Sequence, residues 1–160
     1  METMSSRGVE RSVALTMRGL AVGFAVVGIL FIAAPDGVID TLDDVGDALG
    51  GFAQGPKTEQ KLWLALAFAY MTVITGLALV IATDPRRYRP FLLVLAAGKA
   101  ASSLAAGAFF VWDDDVFAYL ANFLVDLSLV GVAVGCWVLL GSTAEVGAGA
   151  EAEVEVRAPV

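Results

Sequence analysis

Two opposite charges stand deep inside apolar stretches: Lys99 within residues 91–111 and Asp126 within residues 116–140. An ammonium and a carboxylate at such depth support one of two chemistries. They can neutralise each other as a buried ion pair, or the carboxylate can take up and release a proton or cation along a polar path. Helix geometry brings the two within reach. At a rise of ~1.5 Å per residue, Lys99 lies ~13 Å from the start of its segment and Asp126 ~15 Å from the start of the next. Measured from the short turn that joins the segments, their depths differ by only ~4–5 Å, which a lysine side chain spans. Ser102 and Ser103 lie one turn from Lys99, and Asn122 lies one turn from Asp126, so each charge has polar company on its own face. With Tyr70 of an earlier segment, these residues define a candidate polar pathway.

Other chemistries are excluded by inventory. The chain has no histidine, which removes the commonest general base and the usual metal and haem ligand. Cys136 is the only thiol, so neither an intramolecular disulfide nor a redox Cys pair can form, and a packing role is expected for it. No phosphate-binding glycine loop, nucleophile elbow or zinc motif is present. The expectation is a non-enzyme with no metal and no cofactor. A net charge of −7 accords with no nucleic-acid partner.

The elements that must position the pair follow from composition. Of 160 residues, 58% are hydrophobic, above the ~45–50% of ordinary soluble domains. Four segments, roughly 13–34, 62–83, 91–112 and 116–141, are long enough to cross ~30 Å of hydrocarbon as helices, and none shows the two-residue alternation of a barrel strand. The predicted fold is all-α, an integral membrane four-helix bundle with the lipid bilayer as its first partner. Arg7, Arg11 and Arg18 precede an apolar stretch as they would in a signal peptide, but its length and Gly19-x-x-x-Gly23 favour a spanning helix. Further small-residue pairs, Gly98/Ser102, Ser103/Gly107 and Gly131/Gly135, suit close helix approach within the bundle or between copies of the chain.

Charge in the connections sets the threading. Arg86, Arg87 and Arg89 lie between the second and third spans, whereas Asp113, Asp114 and Asp115 form the last turn. By the positive-inside rule both termini are cytoplasmic, with the three arginines as cytoplasmic anchors, and Lys57 and Lys61 argue more weakly the other way. Arg18, only ~7–8 Å inside the first span, is expected to reach the cytoplasmic headgroups along its own stem. Between the first two spans, Val38, Ile39, Leu42, Val45, Leu49 and Phe52 recur at helical steps among aspartates. That pattern predicts a short amphipathic helix over about 37–50 on the outer surface, N-capped by Asp36. Residues 1–141 form the membrane domain. Residues 142–160, rich in Ala, Gly and Glu with no usable period, are expected to be a disordered acidic cytoplasmic tail.

The excess of Asp and Glu, with Arg favoured over Lys, is similar to the composition of proteins from salt-loving microbes. The four-helix layout resembles two groups of small prokaryotic membrane proteins, the small multidrug exporters and the DoxX-like group. The exporters carry a membrane-embedded Glu in their first helix where this chain has only Arg18, and no motif of the second group is matched, so neither resemblance transfers a residue role. The leading reading is a non-catalytic cell-membrane protein, either an accessory subunit or a small binding module, with a membrane protein partner or a second copy of itself. The alternative is a small proton- or cation-coupled transporter using Asp126.

Overall fold

The computed structural model describes the backbone of residues 6–57 and 61–157. The described residues form five helices: α1 (Ser6–Ala33), α2 (Pro35–Leu49), α3 (Lys61–Thr83), α4 (Arg89–Trp112) and α5 (Phe117–Arg157). The first, third and fourth, together with Phe117–Ser142 of the fifth, are long and apolar enough to cross a membrane. The described residues contain no strand, only an isolated bridge between Ala53 and Val116.

Local sequence explains the breaks. Pro35 disfavours helical backbone at Ala34, which adopts φ −149° and ψ 59°, and then opens α2 at a position where its missing N–H costs nothing. The cap position is therefore Ala34, with no side-chain cap; Asp36, expected there, lies in the first turn of α2, where a carboxylate still suits the helix dipole. Gly51 takes φ +74°, a conformation that glycine adopts without strain, as the chain leaves α2. Between α3 and α4, the Asp84 carboxylate accepts the Arg87 N–H at 3.1 Å and Pro90 sits in the first turn of α4.

The fifth helix does not stop at Gly141. Its backbone remains helical to Arg157. Alanine and glutamate lead the scale of helix propensity, and a helix already nucleated in α5 extends into them without a second nucleation step.

The bundle is two helix pairs. α1 packs along α3, α4 packs along α5, and the pairs meet more lightly where α1 touches α5 and α3 touches α4. Their shared core gathers at the arginine-rich end: Met17, Ala21 and Phe24 of α1, Ile74, Ala78 and Ile81 of α3, Leu92 and Leu95 of α4, and Ala133, Cys136 and Leu140 of α5. Cys136 is buried there as a packing residue. Toward the acidic end no residue of α3 before Met71 is buried, while Leu62, Trp63 and Leu66 are exposed. α4 and α5 stay joined at that end by Ser103, Ala106 and the Phe123 ring lying on Gly107.

α2 lies across the acidic end. Gly46 is buried against Phe117, where a Cβ would stand 2.7 Å from the Phe117 Cβ, and the Phe52 ring packs on Phe110 and Phe117 at 6.3 and 5.4 Å between centroids. The amphipathic face is therefore divided. Val38, Ile39 and Leu42 are half-buried beside Gly46, whereas Val45 and Leu49 remain exposed at 43% and 67%. Asp43, among the apolar positions of α2, is half-buried and accepts the Gly55 N–H at 2.9 Å. Among the small-residue pairs, Gly19 and Gly23 meet nothing within 4 Å and face outward, so that pair does not bring α1 against another helix of this chain.

Candidate functional site

Lys99 follows Leu92, Leu95 and Ala96 on the inward face of α4, and Asp126 lies two turns before Ala133 on the inward face of α5. The α4–α5 hairpin folds the two faces together. Lys99 Nζ donates to Asp126 Oδ1 at 2.9 Å, with Lys99 4% and Asp126 3% exposed. The two side chains, at the similar depths that helical rise gives them, are in direct contact.

Two aromatic rings complete the surroundings of the ammonium. Its nitrogen stands 4.9 Å from the centroid of Phe24 on α1 and 5.6 Å from that of Tyr70 on α3. Both distances are within the ~6 Å over which a ring face attracts a cation. All four spans therefore contribute one group each to this centre. Tyr70 adds a further feature: its hydroxyl oxygen is buried and has no hydrogen-bond partner. It lies over Gly98, where a Cβ would stand 3.4 Å from the oxygen.

The other polar residues of the spans divide into separate contacts. Ser103 is buried and donates its hydroxyl to the Phe123 carbonyl at 2.9 Å, which ties α4 to α5. Asn122 donates to the Ser102 hydroxyl at 3.3 Å, and Asn122 is exposed. The hydroxyls of Thr72 and Thr75 in α3 are bonded to the carbonyls of Phe68 and Met71 one turn back.

The arginines expected as headgroup anchors also have protein partners. Arg86 forms an ion pair with Glu10 of α1. Arg89 donates through Nε to the Trp137 carbonyl at 2.9 Å, and its guanidinium lies 4.3 Å from the Trp137 ring centroid. Gly141 makes room for it, because any Cβ there would collide with the guanidinium. Arg87 lies over the Tyr88 ring at 5.6 Å, and Arg18 is exposed on α1. Lys57, at the acidic end, pairs with Asp40 at 3.3 Å, so part of its charge is offset locally.

Sequence reasoning missed Phe24 and the Arg89–Trp137–Gly141 contact. Phe24 was findable, because it continues the inward series Val13, Met17 and Ala21 to the depth of the charge pair. The stacking of Arg89 on Trp137 has no periodic signature.

Fold and site together define a polytopic α-helical membrane protein with an aromatic-walled ion pair between its helices. Comparison of the chain with protein-family models, with curated proteins and with solved structures finds no match.

Proposed function

We propose that the chain is a non-catalytic cell-membrane protein, an accessory subunit or small binding module, in which Lys99 and Asp126 fix the face of α4 that meets α5. The observation that supports this reading is the closure of the pair: a 2.9 Å contact between two residues that are each under 5% exposed. A carboxylate that shuttles protons works best unpaired and within reach of water. Removing either partner of a buried pair is costly, whereas the satisfied pair specifies one arrangement. Both termini lie in the cytoplasm in this reading, and the exposed Val45 and Leu49 of α2 rest in the outer interface.

Purification from native membranes under mild detergent tests the subunit reading. A stoichiometric membrane partner, or a ligand retained by the chain alone, is the expected result; a lone, ligand-free chain would contradict it. For threading, a single cysteine at position 114 in a Cys136→Ser background reacts with an impermeant thiol reagent from outside intact cells, and one at position 87 does not.

One observation favours the coupled-transport alternative: the unpartnered Tyr70 hydroxyl beside the pair leaves the centre with an unused polar group. On that reading, liposomes holding the protein move protons or cations with a solute, and Asp126→Asn folds yet abolishes the flux. Flux that survives Asp126→Asn removes the alternative.

A further inference from the structure

We propose that Phe24, Tyr70 and Asp126 form a binding site for a primary ammonium ion, in which the Lys99 side chain is the resident occupant. The groups that receive the ammonium come from α1, α3 and α5, and only the occupant comes from α4. A carboxylate at 2.9 Å with two ring faces at 4.9 and 5.6 Å is the set of partners by which proteins hold cationic ligands. A purely structural ion pair needs the carboxylate alone.

Two further observations separate a binding site from a finished structural contact. The buried Tyr70 hydroxyl has no partner, so the chain's own residues do not satisfy the polar groups of this centre, and such orphans are uncommon in completed interiors. The site also lies where the core shared by the two helix pairs ends; beyond it α3 buries no residue before Met71.

The chemistry selects the ligand class. Asp126 accepts an N–H at hydrogen-bond distance, which a quaternary ammonium cannot offer. The room taken by the lysine stem suits a short unbranched hydrocarbon chain. A primary alkylammonium fits both conditions.

Substitution of Lys99 by alanine removes three methylene groups and the ammonium, which are the atoms of n-propylammonium. In detergent, n-propylammonium is expected to stabilise Lys99→Ala in a saturable manner, with the folding equilibrium raised about eleven-fold at ten times the dissociation constant. The wild-type protein, whose tethered occupant fills the site, does not respond, and tetramethylammonium stabilises neither. Lys99→Ala/Asp126→Asn buries no unpaired carboxylate and so retains its fold, but loses the response. The proposal is overturned if n-propylammonium leaves Lys99→Ala unchanged, whether folded or unfolded, or if the wild type or the double variant responds equally. This test is independent of whether the pair is a structural clamp, because rescue reads the vacated site and not the coupling between the two residues.

Discussion

Arg89→Ala probes how the arginine-rich end is closed. The substitution deletes a charge-assisted hydrogen bond to the Trp137 carbonyl at 2.9 Å and a guanidinium stack at 4.3 Å from the indole. Hydrogen bonds to charged groups contribute ~1.5–3 kcal/mol and cation–π contacts at wet sites ~0.5–1 kcal/mol. Because Arg89 is only half-buried, the lower ends apply. The expected loss is about 2 kcal/mol, or roughly 4–8 °C in melting temperature for a chain of this size. The Trp137 carbonyl lies inside α5 and keeps its helical hydrogen bond, so no orphan penalty is added. Gly141→Ala reaches the same contact from the other side: its methyl group displaces the guanidinium, and the resulting loss is smaller than that of Arg89→Ala because alanine gains ~1 kcal/mol over glycine inside a helix. The two substitutions share one interaction, so in the Arg89→Ala background Gly141→Ala costs less than half of what it costs alone. Thermal unfolding in detergent measures all four proteins. Tryptophan emission, in a Trp63→Phe/Trp112→Phe background, reports whether the Trp137 environment changes with each. Additive losses, or a stable Arg89→Ala with unaltered emission, would refute the clamp.

Two other outcomes follow from single features. Tyr70→Phe removes a buried hydroxyl that has no partner and keeps the ring over Lys99, so it is neutral or raises the melting temperature, whereas Tyr70→Leu lowers it; a clear loss in Tyr70→Phe would mean that the hydroxyl is bonded in the membrane. Spin labels at Val45 and Leu49 of α2 are accessible to oxygen in lipid, and one at Asp47 is accessible to an aqueous relaxant; equal aqueous access at all three would place α2 in water.

Much of the fold was legible because hydrocarbon imposes a length requirement: each run of ~20 apolar residues is readable without knowing its neighbours. The charge pair was legible for a related reason, since ionised groups in lipid must find each other and helical rise fixes their depth. The faces of the helices were harder to read. Leu66, Val73 and Val80 face outward on α3 while Ile74, Ala78 and Ile81 face inward, and lipid draws no distinction between the two sets. For the same reason Gly19-x-x-x-Gly23 reads as a packing motif yet meets no other helix of this chain. α2 was found from its periodicity, but the split of its apolar side between Gly46 and Leu49 depends on Phe52 and Phe117, which lie elsewhere in the chain.

If Lys99 and Asp126 act as one structural unit, a double-mutant cycle reads it directly. Lys99→Met and Asp126→Leu each leave one buried charge without its partner, at a cost of ~3–5 kcal/mol, while replacement of both by apolar residues is close to neutral. Melting temperatures in detergent should therefore fall steeply for each single variant and recover most of the loss in the double variant. A double variant whose loss equals the two single losses combined would show that the residues do not depend on each other, and would contradict the account.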